Sequence, residues 1–351
     1  MLGRLLGRTF FLILALLIAA PAAAITNAPA PQRVVAIGDL HGDGGAWRDV
    51  ARAAGLIDAS GHWAGGKTIL VQTGDVVDRG PDSLAIIRQL MQLQREAQRA
   101  GGQVVALVGN HEAMNLAGDL RYVTPAEFAA FATKNSAKLR DTVFEANKAA
   151  IEQAYHQRDA KMTPQAIRAA WIASTPLGQI EHQAAWSPKG EIGKWIVGNP
   201  AVAMIGDTLF VHGGISAEYA KLPIDEINRR TAAALAKSES DPTSIINDQR
   251  GPLWYRGLVT REKEAGEEAE KDAASSQPVL SIDEEIDLVL RAYGAKRIVI
   301  GHTPVLSGIV MADDGRLIRI DTGMSRFYGG TLSYLEILDG KPIAHVVERS
   351  P

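Results

Sequence analysis

The residues able to do chemistry fall into five short polar clusters, each with glycine beside it. They are Gly38-Asp39-Leu40-His41-Gly42-Asp43, Thr73-Gly74-Asp75-Val76-Val77-Asp78-Arg79-Gly80-Pro81, Gly109-Asn110-His111-Glu112, His212-Gly213-Gly214 and Gly301-His302-Thr303-Pro304. Glycine permits the tight turns and close backbone approach that a convergent site needs. A mixture of carboxylate, amide and imidazole donors suits Mn²⁺, Fe or Zn²⁺ better than Ca²⁺ or a thiolate-bound ion. The expected ligands are Asp39, His41 and Asp75 for one ion and Asp75, Asn110, His212 and His302 for the other, with Asp75 bridging. Two ions about 3.5–4 Å apart clamp a phosphoryl group for in-line displacement and share an acidified water as nucleophile. The transition state spreads negative charge over the phosphoryl oxygens, which the planar fork of arginine matches. Arg79 is placed for that role, and Arg256, within Gly251-Pro252-Leu253-Trp254-Tyr255-Arg256-Gly257, is a second candidate. The leaving oxygen needs a proton, and His111, next to Asn110 and backed by Asp78, is the expected donor. Asp43 and Glu112 are expected either to stand behind the ligands and orient them or to hold loops. A single Gly-Asp or Gly-His dipeptide carries no signal; five clusters in order do. Arg256 has a plainer alternative, a surface arginine stacked on Trp254 or Tyr255.

Elements must bring these clusters together, and each cluster follows a strand-like run. Arg33–Ile37 is nearly continuous in apolar residues, as in a buried strand, and Lys67–Gln72 and Gln103–Val108 repeat the pattern. A helix is expected from about Trp47 to Ala54. Another starts at Pro81 with Asp82 beside it and ends by Arg99 and Gly101-Gly102, with Leu84, Ile87, Leu90 and Met91 on its core face. Strand and helix alternating in this way favour an α/β sheet. From Thr124 to about Trp186 the chain turns helical and irregular, with capping signals at Thr124-Pro125-Ala126-Glu127 and Thr163-Pro164. This is an insert flanking or covering the site, and its His156 and His182 are expected to be surface or structural. Ala201–Val211 reads as a hairpin turning at Gly206-Asp207. Ser238–Gln277 is loop-rich, and its charged run Arg261–Asp272 is most simply a solvated surface. Asp283–Tyr293 is a helix closed by Gly294, followed by the strand Arg297–Ile300 and three further strand-like runs to Val347. No internal repeat and no second boundary interrupts residues 33–351.

With 351 residues, 46% hydrophobic and 22% charged, the chain can bury a full core. Its formal charge of −3 gives no basic excess for nucleic acid. It has no cysteine, which excludes disulfides, thiolate zinc sites and a cysteine nucleophile. Residues 1–24 have the form of a secretory signal: Arg4 and Arg8, an apolar run Phe10–Ala20, then Pro21-Ala22-Ala23-Ala24. Cleavage after Ala24 removes two arginines and takes the charge from −3 to −5. Residues 25–32 form a linker. The expectation is a periplasmic protein with no stable membrane insertion after cleavage; the alternative is an uncleaved inner-membrane anchor, for which the apolar run is short of the about 20 residues a span needs.

The five clusters together resemble the motifs of the calcineurin-like metallophosphoesterases, in the phosphoprotein phosphatase branch, from about Arg33 to Tyr334. His111-Glu112-Ala113-Met114-Asn115-Leu116, Gly118-Asp119-Leu120-Arg121-Tyr122-Val123, Asp321-Thr322-Gly323-Met324-Ser325 and Tyr328-Gly329-Gly330 are similar to the Shewanella-like protein phosphatases. The resemblance implies a β-sandwich of two sheets flanked by helices (α/β/β/α), a dinuclear centre with Mn²⁺ the expected metal, and the ligand and acid roles given above. It implies a phosphorylated protein or a small phosphoester as substrate, with phosphotyrosine and phosphoserine/threonine both open. A dinucleoside polyphosphate hydrolase on the same fold typically lacks the second aspartate of the Asp75–Arg79 motif and has alanine at the position of Gly213. Purple acid phosphatases place a second histidine two residues after the one matching His302, where this chain has Pro304. A catalytically silent binding module usually loses ligands, and none is missing here.

Overall fold

The structure, a computed structural model, describes residues 33–260 and 280–350; the expected signal, the linker and the charged run Arg261–Asp272 lie outside the described residues. In chain order the strands are β1 (Arg33–Ile37), β2 (Ile69–Gln72), β3 (Gln103–Ala106), β4 (Val202–Ile205), β5 (Thr208–Val211), β6 (Arg297–Ile300), β7 (Val310–Ala312), β8 (Leu317–Arg319), β9 (Ser333–Leu338) and β10 (Lys341–Val346). The helices are α1 (Gly44–Ala53), α2 (Ser83–Arg99), α3 (Asn110–Ala117), α4 (Pro125–Phe131), α5 (Ser136–Arg158), α6 (Pro164–Ser174), α7 (Gln179–Trp186), α8 (Glu191–Val197), α9 (Ile224–Ala236) and α10 (Ile282–Tyr293).

Successive side chains of a strand point to opposite faces, and here both faces are apolar. Val34, Ala36, Val71 and Val105 of one sheet meet Phe210, Val299 and Ile318 of the other in a closed cluster. The alternate residues Val35, Ile37 and Leu70 face helices instead. The result is a sandwich of two five-stranded sheets, ordered β10-β9-β1-β2-β3 and β4-β5-β6-β8-β7. Burying each Val, Ile or Phe at this seam contributes about 1.5–3 kcal/mol, so a one-residue slip in register would expose a whole row. Within each sheet the central strands are parallel: β1 with β2 and β2 with β3, β5 with β6 and β6 with β8. Their carboxyl ends therefore open on one edge of the sandwich, where open α/β sheets bind ligands.

Boundaries differ from the sequence expectation for local reasons. Helix α1 begins three residues before Trp47 because Asp43 caps it, its Oδ1 accepting the Ala46 N–H at 2.9 Å. Helix α2 begins at Ser83, after Pro81, and Asp82 turns its carboxylate to the Gly44 N–H at 3.2 Å. Leu84, Ile87 and Leu90 are buried as expected, with Met91 packed beside them. Four strands, not three, follow β6, because β7 and β8 form a short hairpin before β9 and β10. Helices α3 and α9 were not anticipated. The helical segment runs through α8 to Val197, beyond Trp186. No helix among the described residues is long and apolar enough to cross a membrane.

Candidate metal centre

Asp39 and His41 leave β1, Asp75 leaves β2, and Asn110 and His111 open α3 after β3. From the second sheet, His212 leaves β5 and His302 leaves β6. All seven are buried, and they converge on Asp75, whose two carboxylate oxygens face opposite ways. Oδ2 lies 3.7 Å from His41 Nε2 and 3.8 Å from His111 Nε2, while Oδ1 lies 3.3 Å from His212 Nε2. Two groups of potential ligands, each within 4.8 Å, share this one residue: His41, Asp75 and His111, and Asp75, His212 and His302. Asn110 Oδ1 sits 2.9 Å from His212 Nε2. Asp39 belongs to neither triad by that distance; its carboxylate accepts the His302 N–H at 3.1 Å. Close approach is possible because residues are missing side chains: a Cβ on Gly109 would stand 2.3 Å from Asp75 Oδ1, and one on Gly301 would stand 2.4 Å from Asp39 Oδ1.

The donor set fits two divalent cations. His41 Nδ1 bonds the Val77 carbonyl at 3.0 Å and His212 Nδ1 the Thr73 carbonyl at 2.8 Å. A carbonyl only accepts, so both Nδ1 atoms carry a proton and both Nε2 atoms are left facing inward, the usual arrangement of a ligating histidine. His302 Nε2 is buried with no hydrogen-bond partner. A buried imidazole nitrogen without a partner is costly, and a cation there would satisfy it. Burial holds His41 down at about 3. His302 is held well below its ordinary value by burial and by the neighbouring His212 and Arg256. Both are thus neutral; His302 Nε2 is open to a ligand, and a cation at His41 Nε2 would have to displace the Arg79 nitrogen that stands 2.9 Å from it. Burial works to raise Asp75, but His212 and His111 outweigh it and hold the carboxylate well below its usual range. Asp39 goes the other way, raised by burial and by repulsion from Asp321 and Asp75.

Around the centre stand the groups expected to handle a proton and to bind an anion. His111 Nδ1 donates to Asp78 Oδ2 at 2.5 Å, and Asn115 Nδ2 fixes the other Asp78 oxygen at 2.8 Å. Burial lowers the His111 pKa, but the carboxylates of Asp75 and Asp78 more than offset it, and His111 is raised. The Arg79 guanidinium stands 2.9 Å from His41 Nε2 and bonds the Tyr328 hydroxyl. Its charge lies 5.0 Å from the rings of Tyr122 and Tyr328 and 5.4 Å from that of Phe327. Arg256 is exposed, its Nη2 3.3 Å from the His302 carbonyl, so it borders the His302 side of the centre. Glu112 accepts the N–H groups of Asp75, Val76 and Gly109 at 2.8–2.9 Å, the loop-holding duty expected of it. Asp43 caps α1 and accepts the Arg326 N–H at 2.8 Å.

Sequence reasoning gave no role at the centre to Asp321, Tyr328, Tyr122, Phe327 or Glu127, the last read only as part of a helix cap. The first three stood inside the stretches that carried the finer resemblance, which was the available signal. His156 is exposed, and His182 is buried among Phe128, Phe131 and Trp186, where burial lowers it to about 4. Neither is near the centre.

A family model described as calcineurin-like phosphoesterase matches residues 32–306. The chain is 36% identical over 308 residues to Shewanella-like protein phosphatase 2 of Arabidopsis thaliana, covering 84% of this chain and 72% of that protein. Among solved structures, a cold-active protein-tyrosine phosphatase of a psychrophilic Shewanella species superposes with a TM-score of 0.61 at 24% identity, over 90% of this chain and 80% of that one. A second structure of a cold-active protein tyrosine phosphatase gives 0.61 at 26% identity, over 89% and 78%.

Proposed function

This chain belongs to the calcineurin-like phosphoesterase family, and we propose that it is a metal-dependent protein phosphatase that prefers phosphotyrosine and works with Mn²⁺. The observation that carries the reading is Asp75 standing between two triads of ligands, with the His111–Asp78 pair and Arg79 alongside. Asp39, His41 and Asp75 would hold one divalent cation, and Asp75, Asn110, His212 and His302 the other. Bound there, the pair would supply Lewis acidity toward the phosphoryl group and water.

The chain's own residues do the rest. With His41 on a cation, the Arg79 Nη1 would keep its bond to Tyr328, and Nη2 and Nε, which have no bond among the described residues, are left for two phosphoryl oxygens. Asp78, locked by Asn115, keeps the His111 proton on Nδ1 and raises the basicity of the ring. His111 in its protonated form presents a second proton at Nε2, which passes to the oxygen of the departing alcohol or phenol. The preference for phosphotyrosine is supported by the aromatic rim: Phe327 is 63% exposed at the edge of Arg79, beside Tyr122 and Tyr328. An aryl ring on the phosphate would stack there, worth about 0.5–1.5 kcal/mol.

With Mn²⁺ the protein should hydrolyse p-nitrophenyl phosphate, and chelator should abolish this. On a panel of phosphotyrosine, phosphoserine and phosphothreonine peptides with dinucleoside polyphosphates, phosphotyrosine should lead. Phe327→Ala should raise KM for the phosphotyrosine peptide by up to about tenfold and leave that for phosphoserine unchanged. A panel led by dinucleoside polyphosphates would reject protein phosphatase activity. The proposal includes export: expressed with its full leader in a bacterium, the protein should be found in the periplasmic fraction, cleaved after Ala24.

A further inference from the structure

Asn115 holds Asp78 with only half of its amide. Its Nδ2 donates to Asp78 Oδ1 at 2.8 Å and to the His111 carbonyl at 3.0 Å. A carboxylate and a carbonyl only accept, so the amide cannot flip and its Oδ1 faces the other way. That oxygen is buried with no hydrogen-bond partner among the described residues, on a residue that is 3% exposed. The same holds for Nδ1 of His182 on α7, also 3% exposed. A buried polar atom without a partner is costly, and two of them on one space call for a group that bonds both.

They do share a space. Asn115 and His182 line one cavity of about 10 Å³, with Ser83, Glu127, Phe131 and Trp186 around it. A buried water needs about 10–15 Å³ of such room and about two to four polar neighbours. The Ser83 hydroxyl, whose proton goes to Glu127, offers a third neighbour, since its oxygen can still accept. The plainer reading of His182 is a core ring, because it packs edge-on against Phe128 and Phe131 with centroids 5.2 and 5.0 Å away. A phenyl ring would serve that packing as well and leave no polar atom to satisfy. Burial holds His182 down to about 4, so the ring is neutral, and its Nδ1 accepts or donates one bond according to tautomer.

We infer that this cavity holds one ordered water bonded to Asn115 Oδ1 and His182 Nδ1, and that His182 is thereby a positioning residue for the proton donor. Its effect on turnover rests on the phosphatase reading given above; the water itself does not. The bonds run from His182 through the water to Asn115, from Asn115 Nδ2 to Asp78 Oδ1, and from Asp78 Oδ2 to His111 Nδ1 at 2.5 Å. His182 stands outside the centre, yet each link orients the next. Without the water, Asn115 would swing its oxygen toward another donor, and Nδ2 would leave Asp78. Asp78 would then hold His111 less firmly, slowing proton delivery without touching phosphate binding at Arg79.

Two measurements on the full chain test this. A crystal structure at a resolution that shows waters should place one within hydrogen-bond distance of both Asn115 Oδ1 and His182 Nδ1. Kinetics should then compare phenyl phosphate, a poor leaving group, with p-nitrophenyl phosphate. His182→Leu removes the polar atom. Its kcat on phenyl phosphate should fall about tenfold, a part of the about 10²–10⁴-fold that a positioned acid contributes, with KM and the p-nitrophenyl phosphate rate little changed. His182→Asn keeps a polar atom where Nδ1 stands and should restore the wild-type ratio of the two rates. A ring that serves packing alone would slow both esters alike when replaced. An empty cavity, a direct bond between Asn115 and His182, a ratio that His182→Leu leaves unmoved, or one that His182→Asn fails to restore would each overturn the inference. Wild type that shows the water but hydrolyses neither ester would overturn the phosphatase reading and the positioning role with it, and leave the water site standing.

Discussion

Five side chains of the centre sit on backbone that L-residues avoid, with φ of 42° at His41, 53° at Asp75, 69° at Asp78 and Arg79, and 64° at His302. Each such position costs on the order of 1–3 kcal/mol and persists only where its surroundings over-determine it. Here they do: the Leu40 and His41 N–H groups both bond the Asp75 carbonyl, at 2.9 and 3.0 Å, and Glu112 ties down the Asp75 loop from below. The donor types and flanking glycines were legible in the sequence. Which imidazole nitrogen faces inward was not, since that depends on carbonyls 36 and 139 residues away from His41 and His212. The acid role makes a sharp prediction at this scale. His111→Asn should keep its metal yet lose about 10²–10⁴-fold in kcat on phenyl phosphate. It should lose far less on p-nitrophenyl phosphate, whose leaving group hardly needs a proton. Asp78→Asn tests the same pair by pH. The acid works protonated, so the rate falls as pH rises through the His111 pKa; losing a carboxylate that raises this pKa must move the alkaline limb to lower pH. A limb that stays put would remove Asp78 from the mechanism.

The helical insert is tied to the site's turn through one residue of its first cap. Thr124 and Glu127 form a capping box at α4, with the Glu127 Oε2 accepting the Thr124 N–H at 2.7 Å. The other oxygen leaves the insert altogether: Oε1 accepts the Asp78 N–H at 2.9 Å and the Ser83 hydroxyl. Glu127 thus joins α4 to the turn that carries Asp78 and Arg79. Caps are local and could be read from the sequence, at Thr124 and at Thr163 alike; the bond to Asp78, 49 residues away, could not. Helix α3 escaped notice because residues 110–116 are all buried, which leaves no polar face for a period to show. Helix α9 has no side-chain cap to announce it. Two variants separate the cap from the link. Thr124→Ala should cost about 0.5–2 kcal/mol of stability and leave kcat unchanged. Glu127→Ala also strands the buried Asp78 N–H, for about 1–3 kcal/mol more, and should lower kcat as the turn loosens. Equal kcat in the two variants would confine the insert to a structural part.

At the scale of the molecule, the alternation of strand and helix from β1 to β3 was readable, while the pairing of two sheets followed only from resemblance. The reason is physical: the strands are apolar on both faces, so their pattern says that they are buried without saying by what. The consequence is a seam whose open edge collects carboxylates. Asp39 is raised by burial and its acidic neighbours, Glu112 to about 7 by burial and Asp75, and Asp321 to about 6 chiefly by burial. A carboxyl group whose pKa is higher folded than unfolded binds protons better in the folded state. Its contribution is complete below the unfolded value, near 4, and is lost as pH rises through 6 to 7. These three groups therefore cost the metal-free protein stability between pH 5 and pH 8, against the buried His41, His302 and His182, whose lowered pKa values act the opposite way up to about pH 6.5. Cations reverse the sign by matching the ionised form and displacing its proton. Bound only to the folded state, an ion at a thousand times its Kd adds about 4 kcal/mol. The increase in melting temperature on adding Mn²⁺ should accordingly be small at pH 5 and large at pH 8. Calorimetry of stripped and reloaded protein at the two pH values measures it directly, and an increase of the same size at both would mean that the buried carboxyls give up no proton when metal binds.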